Sequence, residues 1–384
     1  MDFWHEHSKH KNPRFTERYI DPADWLSYCQ SLPEDFIQGA YGASEEGRAI
    51  PHFQWGKGNI RVLIWSQMHG NEPTATQALS DLFLLLSETE SPEVKQWHEH
   101  LTLHFIPMLN PDGSARYQRR NALGIDINRD AVAQQSAESQ FFWSKVEEIN
   151  PEIGFNLHDQ RTMYSAGDSS HPATISFLAP SPDTAQSQTA CRIRAMQLIG
   201  HMTQCLRPHL GECIGRYSDE FYPTAFGDNL QRKGVATILI ESGESRNTPE
   251  REETRQANFL CLAEALSKLC QGELNEAHRN EYLRIPENQT HFYDIVLEGI
   301  TLDHYTIDVG LRATEVLRDR RVVKSYQVAD AGDLSFAPRF RTHNMKGWTG
   351  SAQWTLEEKP QAVFQKEGET LRVDEWGVHL NPTE

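Results

Sequence analysis

An apolar run at residues 60–65 is followed by a polar loop and then by a helix-like pattern. The run has the length and composition of a buried parallel strand, and it stops at polar Ser66. Pro73 stands where the first turn of a helix is expected, and residues 75–86 continue with a helical spacing of apolar positions. The pattern therefore predicts a strand, a short loop and a helix in succession.

The same alternation of strand-like and helix-like segments continues to about residue 270. Further strands are predicted at residues 50–55, 101–108, 153–157, 173–179 and 235–240. Further helices are predicted at residues 137–149, 184–206 and 249–270. Residues 50–55 are expected to pair with residues 60–65. Alternation of this kind predicts an α/β fold with helices on the faces of the sheet.

The pattern changes after residue 275. Glycines separate short segments in which apolar and polar residues alternate, for example residues 304–309, 322–328 and 370–373. No helix is predicted there. The chain is therefore divided into a first domain at residues 1–275 and a smaller all-β domain at residues 276–384.

Composition narrows the class of protein further. Of the 384 residues, 37 are Lys or Arg and 54 are Asp or Glu, so the formal charge is 37 − 54 = −17. This charge argues against nucleic acid or an anionic membrane as a partner. Neither a secretory signal nor an apolar membrane segment is visible, and the six cysteines form no C-x-x-C pair. A cytoplasmic protein with free thiols is predicted.

Candidate chemical groups follow three of the predicted strands. His69 and Glu72 come after the strand at 60–65, His158 comes directly after the strand at 153–157, and Glu241 directly follows the strand at 235–240. Ligands in open α/β sheets bind outside the carboxyl ends of the strands. Two histidines with one carboxylate and an open position are typical of a catalytic zinc site.

A lone His-x-x-Glu motif is weak, because the chain has three of them. The other two, His209 with Glu212 and His278 with Glu281, lie in polar segments and are interpreted as chance pairs. Glu241 would be the carboxylate left off the metal. Ending so apolar a strand, it should be partly desolvated with a raised pKa, which suits a general base. A capping or salt-bridged Glu is the structural alternative.

A loop at residues 119–129 contains three arginines and two asparagines. Guanidinium groups match carboxylate oxygens in pairs, so the loop could hold a substrate carboxylate. A solvated basic loop is an equally good interpretation of its composition.

The motifs, and the order in which they follow one another along the chain, resemble those of the zinc metallocarboxypeptidases. The matching residues are Tyr41-Gly-Ala-Ser-Glu-Glu-Gly-Arg48, His69-Gly-Asn-Glu72, Asn110-Pro-Asp-Gly113, Arg119-x-Asn121-x-x-Gly124-x-Asp126-x-Asn128-Arg129, Asn156-Leu-His158 and Ile240-Glu241. The resemblance implies a mixed, mostly parallel sheet with helices on both faces. It also implies hydrolysis of the carboxyl-terminal amide bond of peptides.

The resemblance assigns roles to individual residues. One zinc ion would be bound by His69, Glu72 and His158, with Glu241 as the general base. Arg119 would stabilise the oxyanion, with Arg120 as the alternative. The same resemblance implies that Asn128 and Arg129 hold the terminal carboxylate of the substrate.

Some positions depart from the family pattern. Asp159 and Gln160 stand where digestive members commonly have Ser and Tyr. The mobile tyrosine of the family has two candidates, Tyr217 and Tyr222, of which Tyr222 is preferred. Two acids of that segment could line a pocket for a basic group or be ordinary surface acids; they are Asp219 and Asp228.

A second function stays open at this point. His69-Gly-Asn-Glu-Pro73 and the β-rich carboxyl-terminal domain are similar to the succinylglutamate desuccinylase and aspartoacylase group, which would make the chain a deacylase of N-acyl amino acids. The spacing from Arg119 to Asn128 is longer than in that group. Either substrate would carry a free carboxylate. A carboxylate-binding module without catalysis is a third hypothesis, which an intact Glu241 disfavours.

Overall fold

A computed structural model describes residues 1–302 and 305–382 of the chain. The chain forms two compact units, Met1–Gln160 with Thr174–Glu287, and Arg161–Ala173 with Asn288–Glu384. The division predicted at residue 275 differs from this partition in two ways. Residues 276–287 belong to the first unit, and residues 161–173 belong to the second. The assignment of two domains stays a prediction.

Helices and strands alternate through the first unit. Its helices are α1 (Phe3–His10), α2 (Pro22–Gln30), α3 (Thr74–Leu86), α4 (Pro92–His100), α5 (Pro111–Arg116), α6 (Ala137–Ile149), α7 (Ala190–Leu210), α8 (Phe226–Arg232), α9 (Glu252–Gln271) and α10 (Glu276–Leu283). Its strands are β1 (Ile37–Gln38), β2 (Gly42–Ala43), β3 (Ala49–Ile50), β4 (Phe53–Trp55), β5 (Ile60–Ser66), β6 (Leu101–Ile106), β7 (Ile153–Asp159), β9 (Ile175–Leu178), β10 (Ile214–Arg216) and β11 (Ala236–Ser242).

The main sheet of the described residues has eight strands in the order β1-β4-β6-β5-β7-β11-β9-β10. Its centre is parallel, because β5 pairs with β6 and β7, and β7 pairs with β11, all in the parallel sense. Antiparallel pairs join β4 to β6 and β9 to β11. The predicted mixed, mostly parallel sheet is confirmed.

Successive residues of β5 belong to two different hydrophobic clusters. Val62 and Ile64 pack in a cluster that also contains residues of α3, α7 and α9. Leu63 and Trp65 pack with residues of α6 and α8. Because side chains alternate across a strand, the two clusters lie on opposite faces of the sheet. Helices on both faces thus bury the central strands, and the polar loops that follow β5 and β7 are held on a rigid core.

Two of the predicted elements are wrong. Residues 50–55 do not form one strand paired with residues 60–65. Pro51 separates β3 from β4, and β4 pairs antiparallel with β6, with Phe53 opposite Phe105. The two edges of β5 are already occupied by β6 and β7. A period-two pattern predicts a strand but not its partner.

The second error concerns the residues after 275, where no helix is predicted but the structure contains α10. Helix α10 begins there because Asn275 caps it in a reciprocal pair with His278. Its buried Tyr282 packs in the core of the first unit. Two other predicted helices start late: α7 begins after Thr189, which caps it, and α9 begins after Arg251.

The second unit consists of β-strands, as predicted. They are β8 (Ser165–Ala166), β12 (Asn288–Gln289), β13 (Tyr293–Leu302), β14 (Tyr305–Arg318), β15 (Arg321–Gly332), β16 (Arg339–Asn344), β17 (Thr349–Gln353), β18 (Gln361–Lys366), β19 (Glu369–Asp374) and β20 (Gly377–Pro382). Two four-stranded sheets of described residues, β15-β14-β13-β16 and β17-β18-β19-β20, share one apolar cluster. The predicted strand at 304–309 lies in β14, except for His304, which is outside the described residues.

None of the helices in the described part of the chain combines the length and apolar composition that crossing a bilayer requires. All six cysteines are free thiols, as predicted.

Candidate metal centre and active site

The loop after β5 presents His69 and Glu72 at the carboxyl end of that strand. Gln67, with a φ of 49°, turns the chain out of the sheet. The amide of Glu72 then donates to the carbonyl of His69 at 3.2 Å, which closes a tight turn. Pro73 follows as the N-cap residue of α3. Both side chains are buried.

The neighbouring strand β7 supplies His158. Ser66, the last residue of β5, pairs with Leu157, so the next residue of β7 lies beside the loop that carries His69. On the other side of β7, Glu241 of β11 pairs directly with His158. The parallel register therefore delivers three strand ends to one place.

Three ligand atoms converge there. The Nδ1 atoms of His69 and His158 lie 3.1 Å apart. The Oε1 of Glu72 is 2.9 Å from Nδ1 of His69, and its Oε2 is 2.8 Å from Nδ1 of His158. Nitrogen and oxygen ligands around one tetrahedral zinc ion stand about 3.3 Å apart, only slightly more than these distances. The predicted ligands His69, Glu72 and His158 are thus brought together.

Asp126 orients His69 for this arrangement. Its Oδ1 lies 3.1 Å from Nε2 of His69, where a ring N–H donates to it. In neutral His69 this leaves a lone pair on Nδ1, aimed at a carboxylate oxygen. A carboxylate behind a ligating imidazole is typical of metal sites, where it fixes the tautomer. The residues present fit a zinc ion.

The protein charges around this centre favour a cation. Burial opposes the protonation of His69, yet Glu72 and Asp126 raise its pKa. Burial acts against the charge on Glu72 as well, but the two histidines hold its pKa well below the usual range. Burial lowers the pKa of His158 despite the nearby carboxylate.

Glu241 stands apart from the metal-binding cluster. In the part of the chain that the structure describes, no hydrogen bond or ion pair reaches its carboxylate. Burial, with the charges of Glu72 and Asp159, raises its pKa well above the ordinary value. A desolvated carboxylate next to, but outside, the ligand set is chemically suited to accept a proton.

Arg119 lies over the same cluster and Arg120 does not. The Nε of Arg119 donates to Asp126 at 2.9 Å, and its Nη1 is 3.2 Å from Nδ1 of His69. About 40% of its side chain remains exposed, so the guanidinium can still meet a ligand. Arg120 instead donates to the carbonyl of Gly124. These positions favour Arg119 over Arg120 for the oxyanion role.

The three predicted substrate-binding residues are neighbours. Asp126 caps a single 3₁₀ turn, Ile127–Arg129, by accepting from the amide of Asn128. The Oδ1 of Asn128 accepts from the amide of Phe226 at 3.0 Å, which holds the turn against the start of α8. The guanidinium of Arg129 lies 4.0 Å from the ring centroid of Tyr222. Asp126 therefore supports both this turn and His69.

The acids near Tyr222 have structural partners. Asp228 is buried, and its Oδ1 accepts from the amide of Tyr222 at 2.8 Å. Burial raises the pKa of Asp228 to about 6. The expectation of an ordinary surface acid is therefore wrong for Asp228. Asp219 forms an ion pair with Arg192.

Asp159, which departs from the family pattern, has several polar contacts in the structure. Its Oδ2 accepts from Thr74 at 2.7 Å and from Arg18 at 2.9 Å, and its amide faces the Oε2 of Glu72 at 3.3 Å. Asp159 thus supports the loop that carries His69 and Glu72. Sequence reasoning missed this support and that of Asp126. The Asp126-x-Asn128 motif offered a signal, whereas Arg18 lies in an irregular segment that offered none.

The other two His-x-x-Glu pairs contact structural partners. The prediction of a chance pair of solvated residues is wrong for His278 and Glu281, which are buried in α10. His209 stacks on Trp4 with a centroid distance of 4.1 Å. His278 belongs to the cap of α10, and Glu281 forms an ion pair with Arg207.

Comparison with known proteins agrees with this geometry. The zinc carboxypeptidase family model matches residues 25–184, which include every predicted site residue except Tyr222 and Glu241. The resemblance inferred from the motifs is confirmed. "Probable carboxypeptidase 2" of Trichophyton verrucosum (strain HKI 0517) is 26% identical over 245 residues, or 61% of this chain and 41% of that protein. "Carboxypeptidase SOL1" of Arabidopsis thaliana is 35% identical over 65 residues, or 16% of this chain and 13% of that protein. The chain spans about two fifths of the length of the fungal relative.

Solved structures with the same fold are more distant in sequence. A metallo-carboxypeptidase from Burkholderia cenocepacia superposes with a TM-score of 0.53 at 19% identity, over 65% of this chain and 69% of that chain. Bovine thrombin-activatable fibrinolysis inhibitor, solved with tick carboxypeptidase inhibitor, gives 0.54 at 12% identity, over 69% of this chain and 100% of the other. At this identity they show the fold alone.

The hydrogen bond from His69 to Asp126 leads to a prediction about metal affinity. Asp126→Asn should weaken zinc binding about 10- to 100-fold, because the amide no longer fixes the tautomer of His69 as a carboxylate does. Competition with a chromophoric chelator measures the affinity. Asp24→Asn, an exposed change on α2, is the control. Equal affinities of the two variants would contradict a supporting role for Asp126.

Proposed function

We propose that this chain is a zinc-dependent hydrolase that removes carboxyl-terminal residues from peptides. The observation that carries this proposal is the convergence of His69, Glu72 and His158, with Glu241 paired to His158 but outside the ligand set. The matched family and the curated relatives, which are named carboxypeptidases, support it. The substrate would carry a free terminal carboxylate.

His69, Glu72 and His158 would hold one zinc ion through two imidazole nitrogens and a carboxylate. When bound, the ion supplies Lewis-acid chemistry, polarising a carbonyl and making water a better nucleophile. Asp126 keeps His69 in the tautomer that exposes Nδ1. Asp159 and Arg18 support the loop that carries Glu72.

Glu241 would act as the general base. It accepts a proton from the attacking water and later gives it to the leaving amine. Its half-buried position beside His158 keeps it close to the reacting atoms without competing for the metal. A carboxylate with a raised pKa accepts a proton more readily than an ordinary carboxylate does.

Arg119 would stabilise the negative oxygen of the tetrahedral intermediate. Its guanidinium is partly exposed and already lies 3.2 Å from a ligand nitrogen of His69. A positive group fixed in place before the reaction can stabilise charge that develops in the transition state.

Asn128 and Arg129 would bind the terminal carboxylate of the substrate. The amide oxygen of Asn128 is anchored to Phe226, which leaves its amino group to donate, and Arg129 carries a full charge. Tyr222 packs on Arg129 and is about half exposed, so it would cover the bound carboxylate from the solvent side. A cytoplasmic location stays part of the proposal.

The function is tested with two substrate sets in parallel, blocked dipeptides and N-acyl amino acids. We expect zinc-dependent hydrolysis of the dipeptides, lost with a chelator and restored by Zn²⁺. Hydrolysis of N-acyl amino acids alone would instead favour the deacylase alternative. Binding of both sets without turnover of either would favour a carboxylate-binding module.

The role of Glu241 predicts a separation of catalysis from metal binding. Glu241→Gln should lower kcat about 10²- to 10⁴-fold, because the amide cannot take the proton. Its zinc content should equal that of the unaltered protein, because Glu241 is not a ligand. Metal analysis and steady-state kinetics check both points. The control is Glu147→Gln on the exposed side of α6. Near-normal turnover of Glu241→Gln would refute the assignment.

The role of Arg129 predicts a loss of selectivity for the free carboxylate. Arg129→Met should raise KM about 10- to 100-fold for free-acid dipeptides, since one charged hydrogen bond contributes about 1.5–3 kcal/mol. Amidated analogues, which lack the carboxylate, should respond little. Arg120→Met is the matched control, because that guanidinium binds the carbonyl of Gly124. A similar KM change in both variants would contradict a specific role for Arg129.

A further inference from the structure

A second group of metal-binding side chains lies between helices α7 and α9. His201 and Cys205 are four residues apart on α7, so they project from the same face of that helix. Glu264 of α9 faces them. One donor atom from each of the three lies within 4.8 Å of the other two. All three belong to the first compact unit.

The distances suit one ion. The Nε2 of His201 lies 3.4 Å from Oε2 of Glu264 and 3.9 Å from Sγ of Cys205. Ordinary zinc bond lengths in a tetrahedral arrangement give about 3.3 Å between nitrogen and oxygen ligands and about 3.6 Å between nitrogen and sulfur ligands. A shift of a few tenths of an ångström in the Cys205 side chain would bring the nitrogen–sulfur distance to the ordinary value.

The chemistry of the three groups selects the class of metal. A thiolate with an imidazole and a carboxylate favours zinc and similar transition metals, whereas Mg²⁺ and Ca²⁺ prefer sets of oxygen ligands. The side chains of His201 and Glu264 are about one-fifth exposed, so an ion has access and a water can complete the coordination. The immediate surroundings include Lys268, whose charge acts on Cys205.

We propose that His201, Cys205 and Glu264 form a second binding site for a divalent transition metal ion of the zinc class. The site joins α7 to α9, which pack together in the core of the unit. Burial raises the pKa of the Cys205 thiol to about 12, so the free thiol is neutral and the metal displaces its proton on binding. The site does not depend on the proposed hydrolase activity.

Cobalt provides a readout that only this site can give. The ligands of the centre near Glu241 are nitrogen and oxygen, whereas the second site contains sulfur. A sulfur-to-cobalt charge-transfer band in the near ultraviolet, on titrating metal-free protein with Co²⁺, therefore reports Cys205. We expect this band in the unaltered protein, with two bound ions per chain.

Two variants and one control make the assignment specific. Cys205→Ser should lose the band and reduce the bound metal from two ions to one. Glu264→Gln keeps the sulfur, so the band should remain but require at least tenfold more Co²⁺. Cys270→Ser, which removes another partly buried thiol of α9, should leave both results unchanged. A band that persists in Cys205→Ser would overturn the proposal, as would the absence of the band in the unaltered protein.

A measurement on the unaltered chain covers the case in which a variant fails to fold. Zn²⁺ should slow the alkylation of Cys205 at least tenfold relative to Cys270, as followed by mass spectrometry of the labelled peptides. Equal alkylation rates with and without Zn²⁺ would show that the three side chains form only a hydrogen-bonded cluster. Peptide hydrolysis is not needed in either assay, so failure here and failure of the proposed function are separate results.

Discussion

The first unit depends on one costly arrangement, a buried carboxylate held between two imidazoles at the ends of parallel strands. Burying the charge of Glu72 is unfavourable unless opposite charge and hydrogen bonds compensate for it. His69 and His158 supply that compensation, and the register of β5, β7 and β11 brings them to it. Helices pack on both faces of the sheet that carries those strand ends. The scaffold thus keeps the three ligands close together, which a metal ion requires.

Much of this centre could be predicted from sequence because its signals are local. Each ligand follows an apolar run, and the ends of neighbouring parallel strands meet at one edge of the sheet. His69, Glu72, His158 and Glu241 could therefore be grouped without coordinates. The sequence does not show which strands are neighbours, so the predicted pairing of residues 50–55 with residues 60–65 is wrong. The partner of a strand depends on distant segments and not on its own pattern.

The contacts that support the metal centre and α10 could not be predicted from the sequence either. Asp126 stands within a recognisable motif, yet its bond to His69 joins residues far apart in the chain. Helix α10 was missed because its short sequence is polar, and its stability comes from a cap at Asn275 and from packing of Tyr282. In both cases a long-range contact decides the outcome, and the residue pattern alone does not contain it.

The contact between Arg18 and Asp159 extends the working parts of the protein beyond the matched family region. The family model matches residues 25–184, and Arg18 lies outside them. A chain shortened to residue 25 would leave the buried Asp159 carboxylate without that guanidinium, directly behind the amide that faces Glu72. The amino-terminal segment therefore belongs structurally to the support of the Glu72 loop. A domain boundary placed at the first residue of the family match would remove that contact.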